Sequence, residues 1–207
     1  MPLADFAKNL ALEALDESQT NGAKYLSLHT AYSATGTNEV TGGSPAYARK
    51  AATWNAAATG AKALTSNVVF DVPATTVAFI GIWDAVTVGN FLGMVPNGSA
   101  AAKLMVLDDA SADTFKAAAH GFVADDRVVF WGAALPTGVT AGTIYWVISA
   151  NNTTNAFQVS TTQGGAAVSI TAAGYGSVQK AIVEAFASQG TFTVQASGNT
   201  ALDLNAV

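Results

Sequence analysis

Apolar positions at the start of the chain recur at helical spacing. Leu3, Phe6, Ala7, Leu10 and Ala14 stand at i, i+3, i+4, i+7 and i+11, which predicts one apolar stripe on a helix from residue 2 to about 17. Pro2 suits a first turn. Asp16 and Glu17 oppose the helix dipole and weaken the far end, and Asn21-Gly22 marks a turn. Such a stripe must pack on something, either this chain's own sheet or a neighbouring subunit.

After Gly22 the period shortens to two. Tyr25–Thr30 alternates, with Leu26 and Leu28 on one face and Ser27 and His29 on the other. Thr35–Ser44 reads as a polar loop, and Ala46–Trp54 as a weak extended segment. Val68–Val72, Thr76–Asp84 and Asn90–Val95 are stronger strands. The run Val77 to Trp83 is nearly continuous apolar, which predicts burial on both faces, or one face in a core and one on a partner.

From 103 to 180 a second series of six strands follows: Lys103–Leu107, Asp113–Ala117, Arg127–Trp131, Thr143–Ser149, Ala156–Ser160 and Ala167–Thr171. Turn residues separate them, Gly174-Tyr175-Gly176 among these, and the spacing predicts a small β-sandwich or barrel-like module. Its expected core is Phe115, Val128, Phe130, Ile144, Trp146, Ile148, Phe157, Val159 and Ile170. The tail offers Ile182–Phe186, Thr191–Gln195 and Ala201–Leu204. The fold class is therefore mainly β: a β-sandwich-like base with an N-terminal helix, plus a second small β-sandwich or barrel module, which the resemblance described below implies is inserted.

Composition changes this picture in one respect. The 207 residues are 50% hydrophobic but only 11% charged, with nine Lys+Arg, 14 Asp+Glu and no cysteine. That argues against disorder, disulfide scaffolds, thiolate zinc sites and basic nucleic-acid binders. No run reaches the ~20 apolar residues of a membrane span, and the N-terminus lacks a signal-peptide pattern. A lone soluble domain normally covers itself with charge. So bland a surface suits a subunit whose faces neighbours cover.

Candidate chemistry is sparse. Nucleophilic catalysis needs a base beside the nucleophile. His29 falls on the outward phase of its strand and His120 in a His120-Gly121 turn, so both read as surface or turn histidines. Asp108-Asp109 and Asp125-Asp126 would bind calcium only if they met with backbone carbonyls, and adjacent strand residues point to opposite faces. Glu39 and Glu184 are the acids for a glycosidase by type; nothing in the sequence brings them together, and Glu39 reads as solvated in its loop. No phosphate-cradling loop is present. No enzyme, cofactor or metal is expected. The aromatics Trp54, Trp83, Trp131, Trp146, Tyr32, Tyr47, Tyr145 and Tyr175 read mainly as core or interface anchors. Tyr145 and Trp146 have opposite strand parity, so one of them faces out; Tyr145 is the candidate outward ligand contact.

Two stretches carry a resemblance. Tyr25–Ala31, Gly36–Arg49, the Phe-Ile-Gly-Ile-Trp-Asp run within Thr76–Ala85, Phe186–Val194 and Leu202–Asn205 resemble a family of small bacteriophage structural proteins, described as tail-fibre-like, minor tail or head-decoration proteins. Asp113–Phe122, Asp126–Phe130, Leu135–Val147 and Asn155–Ser160 resemble a small β module of phage tail and fibre proteins. In members of the first family the chain passes more directly from about Gly93 to the Phe186–Val194 strand. The resemblance thus implies a base domain of 1–102 with 181–207 that docks on the virion, and an inserted, outward-facing module at 103–180.

What the resemblance implies is a virion protein that decorates the capsid exterior or forms a minor tail or fibre appendage. It would associate with other virion proteins and with itself, a trimer being one arrangement. It would sit in the virion after assembly in the host cytoplasm, with no nucleic-acid or membrane partner. The expected docking or oligomer face is Leu3, Phe6, Leu10, Phe79, Ile80, Ile82 and Trp83. Weak adhesion to a host-surface glycan goes with such a role, and the alternative reading is a carbohydrate-binding module of a phage adhesin.

Overall fold

The computed structural model describes residues 4–98, 102–109, 113–198 and 202–205, with backbone alone for 107–109, 203 and 205. The chain is mainly β and divides into two compact units. Unit 1 is Met1–Ser99 with Val183–Val207, and unit 2 is Ala100–Ile182.

Unit 1 holds α1 (Asp5–Glu13), β1 (Tyr25–His29), β2 (Lys50–Ala51), β3 (Ala61–Ala63), β4 (Val68–Val72), β5 (Thr75–Val77), β6 (Phe79–Trp83) and β7 (Phe91–Pro96). Unit 2 holds β8 (Lys103–Asp109), β9 (Thr114–Lys116), β10 (Arg127–Ala134), β11 (Ile144–Val147), β12 (Ala156–Phe157), β13 (Val159–Ser160) and β14 (Tyr175–Ala181). The tail returns to unit 1 as β15 (Glu184–Phe186), β16 (Gly190–Val194) and β17 (Asp203–Asn205).

In unit 1 a four-stranded sheet runs β2-β1-β6-β7, and the tail strands add three antiparallel pairs, β15 with β5, β16 with β4 and β17 with β3. The pairing is nested: each successive tail strand meets an earlier strand. The two ends of the chain thus build one core, with Leu26, Leu28, Trp54, Leu64, Phe70 and Ile80 packed with Phe192, Val194 and Leu202.

The helix is shorter than its apolar period predicts, and of the two partners left open for its apolar stripe, the chain's own sheet is not the one it packs on. It stops at Glu13, where Leu15 and Asp16 take tighter turns back to Leu12 and Glu13 and the Asp16 carboxylate accepts from Ser18 N and Oγ. Leu12 is its one buried residue. Its polar side faces inward. Asn9 Oδ1 accepts Gly60 N, and Glu13 accepts Ala57 N through one oxygen and the buried Lys62 ammonium at 2.8 Å through the other. Asp16 holds the same ammonium at 2.8 Å. Burial works against the Lys62 charge, yet the two carboxylates outweigh it and raise its pKa. Phe6 and Leu10 are left 80% and 63% exposed. Leu3 lies outside the described residues.

The Val77–Trp83 run is buried on both faces, the first of the two expected outcomes. Ile80 and Ile82 point into the main core, while Phe79, Gly81 and Trp83 lie on the other side, also buried. Phe79, Ile80, Ile82 and Trp83 are therefore packed inside their own unit and form no free docking face. Ala46–Trp54 contributes only the two-residue β2.

Unit 2 is one seven-stranded sheet, β12-β9-β8-β14-β10-β11-β13. Its first and last strands are halves of one segment, Ala156–Ser160, split at Gln158, so the sheet curls round into a nearly closed barrel. The supposed turn Gly174-Tyr175-Gly176 instead opens β14, which lies between β8 and β10. Ala167–Thr171 forms no strand, although Ile170 still plugs the core.

The strand around Tyr145 is out of phase with its expected reading. Val128, on the core side, pairs directly with Tyr145, and directly opposed residues share a face. Tyr145 and Val147 are thus buried, while Ile144, Trp146 and Ile148 are half-buried.

Candidate functional site

The chemistry-bearing side chains of unit 1 converge on the far side of β1 and β6. Ser27 and His29 alternate with Leu26 and Leu28 as expected, but this second face is covered too, and both are fully buried. His29 is therefore no surface histidine. Ser27 Oγ lies 2.7 Å from His29 Nε2, the separation of a nucleophile and its base.

The hydrogen bonds fix every proton in this pair. Trp83 Nε1–H can only donate, and it donates to Ser27 Oγ at 2.8 Å. The Thr37 carbonyl can only accept, and it takes His29 Nδ1–H at 2.9 Å. Ser27 O–H is then left to donate to His29 Nε2. Burial pushes the His29 pKa down and keeps the ring neutral, in agreement with that pattern. The relay is closed at both ends. Gly81 lies directly against it: a Cβ there would come within 2.4 Å of Ser27 Oγ and 2.5 Å of His29 Nε2. No space remains for a substrate carbonyl beside the hydroxyl, so the pair works as a buried polar tie.

Arg49 forms a second hub beside this tie. Its guanidinium carbon sits 3.4 Å from the centre of the Trp83 ring. Nε and Nη2 donate to the Glu39 carboxylate, at 3.0 and 2.8 Å to the nearer oxygens, and Nη1 donates to the carbonyls of Ala85 and Val88 at 3.2 and 2.8 Å. Glu39, expected in a solvated loop, is thus held in a largely buried ion pair, and its backbone bridges to His29. Tyr47 Oη accepts Leu28 N–H at 2.8 Å and donates to Glu39 at 3.3 Å, and burial raises its pKa. Glu184 stands exposed on β15, so the two acids named for sugar hydrolysis have different environments.

Unit 2 offers no open reactive group at the expected positions. Tyr145 is 3% exposed and its Oη accepts Thr140 N–H at 3.0 Å, which removes it as an outward ligand contact. The half-exposed neighbour is Trp146, and the Arg127 guanidinium covers it at 4.3 Å. His120 does sit in a turn, but it is buried, with Nδ1 accepting Phe122 N–H and Nε2 facing the Ala156 carbonyl. Asp126 pairs with Lys180 at 2.6 Å, and the side chains of Asp108 and Asp109 lie outside what is described. Among the described residues no cluster of three or more metal-ligating side chains forms.

Two exposed apolar surfaces escaped the sequence reading of sites, and a third was named by it. Val86 and Val88 stand exposed on the loop between β6 and β7. Leu104, Val106 and Tyr175 line one exposed face of the β8–β14 pair, Val106 directly opposite Tyr175. The third is the outward side of α1, whose residues were named but not its orientation. The Gly174-Tyr175-Gly176 turn reading hid Tyr175 of the second.

Residues 5–103 match the model of a family described as podophage GP4 fiber I protein gp80. The chain is similar to a phage fibre protein. The match spans a little under half of the chain, lies almost wholly in unit 1, and ends as β8 begins. It supports a structural role in a phage virion, and hence association with other virion proteins. No curated protein and no solved structure matches the chain. Among the described residues no helix is long and apolar enough to cross a membrane.

Proposed function

We propose that this chain is a non-catalytic, fibre-type subunit of a phage virion. Unit 1 attaches it to neighbouring virion proteins, and unit 2 is an inserted module that makes weak contacts with the host surface. The observation that carries this reading is the fibre-family match, which occupies the first part of unit 1 and ends where unit 2 starts. Two features support it. The Ser27–His29 pair at bonding distance is sealed, and the apolar stripe of α1 faces solvent. Many copies on one particle make weak single contacts sufficient.

Gold-labelled antibody against unit 2, imaged on purified particles, tests the assignment. Label on the tail is expected. Label confined to the capsid would replace the fibre reading with a decoration role, and unlabelled particles would remove both.

A glycan-binding role is favoured by one observation. Tyr175 is 67% exposed on β14, and Trp131, two rungs along the neighbouring strand, is half-buried on the same face. Loss of glycan-array binding in Tyr175→Ala is the expected result; an unchanged profile would remove this reading.

A further inference from the structure

The loop of residues 30–38 lies over the Ser27–His29 pair. Its stem is hairpin-like: Thr30 N–H donates to the Asn38 carbonyl at 3.1 Å, and Val40 N–H to the Leu28 carbonyl at 2.9 Å. Ser33 ties its tip together, with Oγ accepting Thr35 N–H at 3.1 Å and Thr37 N–H at 3.0 Å. Ser33 and Gly36 are buried beneath the tip, while Ala31, Ala34, Thr35 and Thr37 face out. Few contacts hold the loop down. Gly36 lies so close to the rings of Trp83 and Phe91 that a Cβ there would run into both. Tyr32 leans on Phe79 with ring centroids 6.1 Å apart, and Ser33 N–H points at Met94 Sδ at 3.4 Å. The remaining tie is the Thr37 carbonyl on His29 Nδ1–H. Tyr32 is the one large side chain of the loop, so little apolar area favours its closed position.

The face beneath the loop has no place for a further proton. Three donors, Trp83 Nε1–H, Ser27 O–H and His29 Nδ1–H, meet three acceptors, Ser27 Oγ, His29 Nε2 and the Thr37 carbonyl. A proton added at Nε2 turns that acceptor into a donor. Ser27 Oγ would then accept from both Trp83 and His29, and the Ser27 O–H would lose its acceptor in a space that Gly81 closes. The charged groups acting on the ring are Glu39, which favours the imidazolium, and Arg49, which opposes it; the two are already paired with each other. From β6 and β7 the ring meets Gly81 and Phe91, neither of which titrates. Burial outweighs the help of Thr37 and Glu39 and holds the imidazole below its ordinary pKa. The buried charge and the orphaned hydroxyl both cease to cost once water reaches them. His29 itself is fixed in the β1–β6 ladder opposite Phe79, so the loop is the part that yields.

We propose that residues 30–38 form an acid-released lid: a proton taken up at His29 Nε2 lifts the loop from β6 and β7 while the sheet beneath stays folded. Opening uncovers Phe91 and the edge of Trp83 that Gly36 covers at neutral pH. This goes beyond the virion reading and does not depend on it.

NMR on the full chain, from about pH 7 to about pH 5, tests it. The reporters are the Trp83 indole N–H beneath the lid and the Ser33 amide on its inner side, with solvent-exchange rates scaled to the intrinsic rate at each pH. Protection of both falls as the pH drops, by at most about tenfold per pH unit, the limit for one proton. The amides of the β1–β6 ladder keep theirs. The His29 ring resonances titrate with the same midpoint as lid opening, because the closed face does not take the proton. In His29→Gln the exchange of both reporters no longer depends on pH. A His29→Gln chain that keeps the wild-type pH dependence overturns the proposal. Should that variant not fold, the wild-type titration decides alone. A His29 ring that titrates while both reporters stay protected overturns the lid, and so does loss of ladder protection together with theirs.

Discussion

Unit 1 is assembled from both ends of the chain and tied by buried polar hubs, whereas unit 2 is one continuous segment curled around aromatic rings. In unit 1, Lys62, Arg49 and the Ser27–His29 relay each join segments that the apolar pattern does not connect. In unit 2 the rings of Phe115, Phe122, Phe130, Phe157, Tyr145 and His120 pack at centroid distances of 4.8–6.3 Å. Shape complementarity among rings stabilises unit 2. Directional and charged links specify how the distant pieces of unit 1 meet, so the two units should fail under different perturbations.

The sharpest break is a ring deletion. Phe157 touches Phe115, Phe122, Phe130 and His120, so Phe157→Ala should cost about 3–5 kcal/mol. Calorimetry should show the unit 2 transition lost or strongly lowered while that of unit 1 persists. Equal lowering of both would show that the units do not unfold separately.

The counterpart in unit 1 is Arg49→Met, which keeps bulk over Trp83 but leaves Glu39 unpaired. About 3 kcal/mol should be lost, and Glu39→Gln in the same chain should recover part of it. Strict additivity of the two changes would mean that the ion pair contributes little to the hub. Gly81→Ala comes next, at about 1–3 kcal/mol, because the new methyl meets Ser27 and His29. Chemical denaturation of Gly81→Ala against Gly176→Ala in unit 2 would show whether the relay is the stiffer of the two settings.

Acid should also separate the units. The folded His29 pKa lies below its ordinary 6.5, so the unfolded chain binds the proton first; stability is full above about 6.5 and falls as pH drops below it. Glu13 and Asp16 are likewise depressed, chiefly by their hydrogen bonds to Lys62, so their contribution is present above about 4.5 and is lost as pH falls further. Unit 1 should therefore lose melting temperature in two steps. His29→Gln should remove the upper step and keep the lower. A profile for that variant identical to wild type would show that His29 does not cause the upper step.

Much of this was legible in advance, and the misses share a cause. Strand content, the continuous Val77–Trp83 run and the predominance of anchoring aromatics all followed from side-chain period. Period gives the faces of an element but not which of them the rest of the chain covers. On α1 the apolar stripe was read correctly but its partner was left open; the inward side goes to Leu12, Asn9 and Glu13, where Lys62 and two backbone amides meet the polar side chains. At Ser27 and His29 the alternation was right and the exposed side was not. At Tyr145 the error was one of phase: a single residue's shift exchanges both faces of a strand, and only the cross-strand partner Val128 reveals it.

That shift sets up the smallest of the tests. Tyr145 and Tyr175 are both tyrosines of the unit 2 sheet, one buried and one exposed. Tyr145→Phe removes only the acceptor for Thr140 N–H and keeps the ring against Phe130, so it should cost about 0.5–1.5 kcal/mol in unit 2. Because its hydroxyl never meets solvent, the change should leave any glycan binding untouched, whereas Tyr175→Ala should abolish binding at little cost in stability. A Tyr145→Phe chain that folds normally yet loses binding would reverse the assignment, since it would require the β11 strand to turn its Tyr145 face outward when a ligand arrives.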